Sequence, residues 1–159
     1  MADWNDQCTA LAEAGDKQGL YQLLEAMCRE LVGVKLFTCM TVDMSAGVAR
    51  RVYTNDASAY PTFGEKPIIP NRWTERVLTR RNPFLAKTIE EVRDVFPDHE
   101  QIESLGVGAT INLPVILADE VLGTLNLLDK DGSYETASVD ALSPVKLPAL
   151  VAFSMERLG

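Results

Sequence analysis

Ala109-Thr110-Ile111-Asn112-Leu113-Pro114-Val115-Ile116-Leu117, then Ala118-Asp119-Glu120, then Val121-Leu122-Gly123-Thr124-Leu125-Asn126-Leu127-Leu128, is the stretch that decides the fold. Two runs of strand-forming residues joined by a short polar turn at Asp119-Glu120 read as a β-hairpin. Side chains alternate across a strand, so Ala109, Ile111, Leu113 and Val115 share one face while Thr110, Asn112 and Pro114 share the other. On the partner run, Val121, Gly123, Leu125 and Leu127 oppose Leu122, Thr124, Asn126 and Leu128. One face is apolar and suits a covering layer of helices. The other sets Thr110, Asn112, Thr124 and Asn126 among apolar neighbours, with Leu122 and Leu128 flanking and no charge on that face of either strand. A solvated face would explain threonine and asparagine. Small uncharged polar groups in hydrocarbon surroundings fit a covered ligand cavity better.

Upstream, Leu20, Leu23, Leu24, Met27, Cys28 and Leu31 recur at helical spacing, with Asp16 placed as N-cap and Gly33 as stop. A shorter helix is expected before it, carrying Trp4, Cys8 and Leu11 and ended by Gly15. Leu36 to Met44, a turn through Ser45-Ala46-Gly47, and Val48 to Thr54 read as a first hairpin, with Phe37, Cys39 and Thr41 expected to face the cavity. Residues 55–71 hold three prolines and no periodicity, and read as a long functional loop. A short helix over 72–81, a short strand over 83–88 and a helix over 90–104 broken at Pro97 follow. The tail reads as helical from about Ser138, firmly from Pro148 to Leu158. Strands joined by tight turns, with helices at both ends, imply an α+β domain with a mostly antiparallel sheet. One domain over 1–159 is expected, with 1–15 an extension and 16–158 the core.

The cover of the cavity would come from the segments between the hairpins, which supply Tyr60, Phe63, Trp73, Phe84 and Phe96, with Tyr53 just before them. The expected cavity residues are Cys39, Tyr53, Trp73, Phe96, His99, Asn112, Thr124 and Asn126. His99 is the one histidine, and no nucleophile is patterned with it, so it reads as an orienting group in the lid rather than a general base. Lys66, Arg72 and Lys87 lie in or beside the lid, where one of them is a candidate contact for a ligand carboxylate or phosphate.

Composition narrows the classes. A net charge of −8 with scattered basic residues argues against nucleic acid as a partner. The N-terminus lacks a basic segment followed by an apolar one, and no apolar run reaches membrane-spanning length, so a cytoplasmic location away from membranes is expected. Cys8, Cys28 and Cys39 form neither a CxxC motif nor a disulfide framework, and no metal-ligand spacing is present.

Ser104-Leu105-Gly106-Val107-Gly108, Asn112-Leu113-Pro114-Val115 and Val121-Leu122-Gly123-Thr124-Leu125-Asn126-Leu127 together resemble a GAF domain, and the order of elements extends the resemblance over about residues 16–158. It implies a profilin-like central antiparallel sheet, with the terminal helices on one face and a ligand cavity under loops and short helices on the other. It further implies a sensory or regulatory module for a small molecule such as a cyclic nucleotide, tetrapyrrole, haem or metabolite. With no room for an effector, the chain is similar to free-standing bacterial members, which would pass their signal to a separate protein. The Asn-Lys signature of phosphodiesterase-type cyclic-nucleotide domains is missing, and all cysteines precede the segment where bilin attaches. No cofactor is thereby named. The enzymatic relative, free-methionine-(R)-sulfoxide reductase, needs thiols in the cavity cover. Cys39 is the one cysteine expected near the cavity and lacks a resolving partner there, so a thiol-dependent reductase is the alternative, an interaction domain without ligand a third, and no catalytic residue is assigned. A homodimer through 20–31 and 150–158 is expected, because Leu150, Phe153 and Met155 exceed the apolar needs of one helix layer.

Overall fold

In a computed structural model that describes residues 3–158, the first two segments form helices α1 (Trp4–Glu13) and α2 (Lys17–Leu31). Asp3 caps α1 by accepting from the Asp6 N–H, and Asp16 caps α2 by accepting from the Gly19 N–H at 2.8 Å. Gly15 and Gly33 end the two helices at φ 71° and 83°, in the left-handed region that glycine enters without steric cost. The hairpin β1 (Leu36–Asp43) and β2 (Val48–Thr54) follows, and the long loop contains a two-residue strand, β3 (Lys66–Pro67), that had no signal in the sequence.

A helical turn, α3 (Arg72–Thr74), is closed by a capping box between Asn71 and Thr74 and continues as a π-helical turn over Glu75–Thr79. Then come β4 (Phe84–Ala86), α4 (Ile89–Arg93) and α5 (His99–Ser104), the last two separated at Pro97. The decisive hairpin is β5 (Ala109–Leu117) and β6 (Glu120–Asp129), joined through Ala118 and Asp119 at φ 50° and 64°. The tail comprises α6 (Thr136–Ala141), a 3₁₀ turn over Ser143–Val145 and α7 (Lys146–Leu158).

The six strands form one antiparallel sheet in the order β3-β2-β1-β6-β5-β4. Two bulges govern which residues face where. In β6, Val115 pairs with Gly123 and Ile116 with Val121, so Leu122 is the extra residue. Leu122 therefore joins the core under the terminal helices and Val121 joins the opposite cluster, the reverse of strict alternation. In β2, Cys39 pairs with Tyr53 and Met40 with Arg51, so Val52 is extra.

Two cores result, one on each face. The first packs α1, α2 and α7 against Phe37, Cys39, Ile111, Leu113, Leu125 and Leu127. The second gathers Leu36, Val42, Trp73, Val77, Leu78, Phe84, Val92, Ile102 and Leu128 beneath the irregular segments. The stretch read as an N-terminal extension packs into the first core, with Cys8 buried and Trp4 and Leu11 against it. The ends of the expected domain, residues 1–2 and 159, lie outside the described residues. Phe153 is buried, and Leu150 and Met155 are partly buried against the same core. Among the described residues, no helix is long and apolar enough to cross a membrane.

Candidate functional site

The polar row of the sheet is continuous across three strands. Cα partners in an antiparallel ladder share a face, and the register sets Thr38 opposite Asn126 and Asn126 opposite Asn112. Asn112 Nδ2 donates to Asn126 Oδ1 at 2.8 Å, and Asn126 Nδ2 donates to Thr38 Oγ1 at 3.1 Å. From above, the Trp73 indole Nε1 donates to Asn112 Oδ1 at 2.9 Å. Thr110, on the same face, donates its hydroxyl to the Leu127 carbonyl. Each asparagine amide has two N–H donors and spends one in this row, so the row keeps donors in hand.

Above the row lies a cavity of about 360 Å³, within the usual range of small-molecule sites. Its apolar walls include Leu36, Met40, Leu78, Phe96, Ile102 and Leu128, and its polar floor is Thr38, Thr110, Asn112 and Asn126. The loop before α3 contributes Tyr60, Phe63 and Ile68, and the segment between α4 and α5 contributes Phe96, Pro97 and Asp98. These two covers are tied to each other. The Tyr60 hydroxyl donates to Asp98 Oδ2, and Gln101 Nε2 donates to the Ala59 carbonyl at 2.7 Å. Burial, reinforced by the Asp98 carboxylate, raises the Tyr60 hydroxyl well above the usual phenol range.

Arg51 stands at the rim. Its guanidinium carbon lies 5.1 Å from the centre of the Tyr60 ring and 4.8 Å from that of Phe63, and Nη1 donates to the Pro61 carbonyl. Lys66 Nζ is 4.2 Å from the Phe63 ring centre. Partial burial lowers the Arg51 guanidinium from its ordinary value, against the opposing pull of Tyr60 and Asp98.

Of the residues expected in the cavity, Trp73, Phe96, Asn112 and Asn126 line it. Cys39 and Tyr53 do not, and their placement is corrected: they belong to the core under the terminal helices. Pairing of β1 with β6 puts Phe37 and Cys39 beside Leu127 and Leu125, so Leu36, Thr38 and Met40 face the cavity instead. Tyr53 follows Cys39 as its β2 partner, stacks on Tyr21 and donates to Glu25 Oε1. His99 is also corrected: it begins α5 without lining the cavity, its Nδ1 is buried with no hydrogen-bond partner, and its neighbour Asp98 is the residue that lines it. Thr124 lies two residues from Asn126 on the same strand but is fully buried, with its hydroxyl unpartnered, and does not reach the cavity.

Of the three lid cations, Lys66 lines the cavity, Lys87 pairs with Glu135, and neither Lys87 nor Arg72 lines it. Thr38 and Arg51 are not among the expected cavity residues: Thr38 alternates with Phe37 and Cys39, the pair expected on that face, and Arg51 reaches the cavity only because the Val52 bulge separates it from Tyr53.

All three cysteines are buried. Burial raises the Cys28 thiol to about 12 and the Cys39 thiol well above its ordinary value, so neither is a ready nucleophile. Among the described residues, no group of three or more histidine, cysteine, aspartate or glutamate side chains is placed to hold a metal ion.

No protein-family model matches the chain, and no curated protein matches it. Solved structures do. The GAF domain/HD domain protein of Geobacter sulfurreducens superposes at a TM-score of 0.70 with 17% identity, over 92% of this chain and 97% of that one. The GAF domain of a two-component sensor histidine kinase from Bacillus halodurans gives 0.68 with 12% identity, over 89% and 95%. The blue-light absorbing form of the Thermosynechococcus elongatus PixJ GAF domain gives 0.62 with 21% identity, over 93% and 89%. On this likeness the chain has the fold of a GAF domain.

Proposed function

We propose that the chain is a sensory or regulatory module that binds a small molecule between its sheet and its irregular cover. The observation that carries this reading is the cavity itself, apolar around its walls and floored by the Thr38-Asn126-Asn112 row that Trp73 joins from above. Hydrocarbon walls supply affinity, and the unspent amide donors orient the ligand. A ligand that engages Asn112 also engages the cover through Trp73. Strands β1 and β6 bear the polar row on one face and the core of α2 and α7 on the other, which offers a route from ligand to helix layer. The similar structures named as the GAF domain of a sensor histidine kinase and a blue-light absorbing GAF domain support a signalling role. A thiol-dependent reductase gains no support, since its candidate nucleophile lies in the opposite core.

Native mass spectrometry of freshly purified protein tests the proposal. A noncovalent adduct lost on denaturation, and lost from the Asn112→Leu, Asn126→Leu double variant, is the expected result. A ligand-free spectrum together with no binder in a metabolite screen would overturn it.

A further inference from the structure

Few of the chain's charges reach the cavity. Of 15 basic and 23 acidic residues, the lining takes Arg51 and Lys66 against Asp98 alone. Two cations against one anion leave a net positive rim on a protein of net charge −8. The aspartate is already engaged as acceptor for the Tyr60 hydroxyl. Arg51 lies in the field of that carboxylate without bonding to it. Among the described residues it forms no ion pair, and its side chain donates to one acceptor, the Pro61 carbonyl. A guanidinium has five N–H donors in a planar fork suited to carboxylate. The rings of Tyr60 and Phe63 hold this fork at the rim rather than letting it swing into solvent.

A cavity of about 360 Å³ suits a one- or two-ring molecule. Its floor includes the Asn112 and Asn126 amides, each with one N–H beyond the bonds of the row, which an acceptor on the ligand would engage.

We infer that the ligand is a small aromatic or alicyclic carboxylate, its carboxylate on Arg51 with Lys66 beside it, its ring against the apolar walls and an acceptor oxygen on the asparagine row. The inference rests on the small-molecule reading above and narrows it to one chemical class.

Calorimetry with 6-hydroxy-2-naphthoate and its uncharged twin, 6-hydroxy-2-naphthamide, tests it on the unaltered protein. Charge-assisted hydrogen bonds discriminate by about tenfold or more, so the carboxylate is expected to bind at least tenfold tighter than the amide. Arg51→Met is expected to remove most of that preference by weakening the carboxylate far more than the amide, and exposed Lys66→Met to reduce it by about twofold. Arg51→Gln serves if the methionine variant fails to fold. Equal affinities, tighter amide binding, or a preference that survives both arginine variants would overturn the carboxylate assignment while leaving the small-molecule reading intact. Failure of both compounds to bind would overturn the assigned class, and the small-molecule reading would fall with it only if the native protein also carries no adduct.

Discussion

The Trp73 indole N–H donates to Asn112 Oδ1 at 2.9 Å, and both residues are buried, so a side chain of the cover is fastened to the floor of the sheet. Asn112 in turn donates to Asn126, which donates to Thr38. Asn112→Leu strands the indole donor and the Asn126 acceptor together, and is expected to cost about 2 kcal/mol of stability. Adding Asn126→Leu is expected to cost less than it does alone, with a coupling of about 1 kcal/mol. Urea unfolding of the two single variants and the double checks this. Additive costs would show that the row is not one network.

Gly123 of β6 pairs with Thr41 of β1 and has no room for a side chain there. A Cβ there would sit 2.2 Å from the Met40 carbonyl oxygen and 3.0 Å from the Thr41 Cα, both backbone atoms. Gly123→Ala is expected to destabilise by about 3 kcal/mol or more, since neither atom moves without opening the ladder. Gly64, in the loop over the cavity, meets nothing within 4 Å. Gly64→Ala is the control and is expected to stay within about 0.5 kcal/mol of the parent. Thermal unfolding of the pair measures the difference, and equal midpoints would contradict the close approach.

Glu25 binds the Tyr53 hydroxyl, the Asn55 amide and Arg29. Burial alone would raise its carboxyl, but these hydrogen bonds outweigh burial and hold it below its ordinary value. A carboxylate with a depressed folded value stabilises the fold above the unfolded value of about 4.3, and the contribution is lost as pH falls through the folded value. Glu25→Gln is therefore expected to cost about 1 kcal/mol at pH 7 and to flatten the loss of stability below about pH 4.5. Circular-dichroism melts at pH 7 and pH 4 check the sign. A variant that loses stability on acidification as steeply as the parent would contradict it.

Cys39 is fully buried between the sheet and the helix layer. Cys39→Ser places an unpartnered hydroxyl there and is expected to cost about 1–3 kcal/mol. Ligand affinity is expected to be unchanged, because the residue faces away from the cavity. Native protein is expected to resist an aromatic disulfide reagent at all three thiols, with full reaction after unfolding. Rapid labelling of Cys39 in the folded protein would contradict its placement.

The hairpin at 109–128 was legible because alternation displays both of its faces at once, and the polar pair Asn112 and Asn126 was found from that pattern. The helix at 20–31 was legible from its apolar spacing and its Asp16 and Gly33 boundaries. Alternation failed where a bulge adds a residue. Leu122 and Val121 exchange faces in β6, and Arg51 parts from Tyr53 in β2. The face of β1 is not legible for a different reason: its register against β6 is a tertiary fact, and a strand with Phe37, Cys39 and Thr41 on one side and Leu36, Thr38 and Met40 on the other supports either assignment. His99 was one residue from the contact at Asp98, an error of rotation in a helix restarted after Pro97. The aromatic cover was found from composition, since Tyr60, Phe63, Trp73 and Phe96 sit in or near the least regular stretch. The two-residue strand β3 within it is formed by pairing with β2 and has no local pattern.

The chain carries two tryptophans on opposite faces, Trp73 in the cavity wall and Trp4 against the helix-side core. Their two indole N–H signals in a ¹⁵N-correlated NMR spectrum report the two faces separately while a metabolite library is titrated. A ligand that shifts the Trp73 indole and leaves Trp4 in place is the expected result. A binder that moves Trp4 alone, or a library in which every binder leaves Trp73 unmoved, would contradict a ligand site between the sheet and its cover.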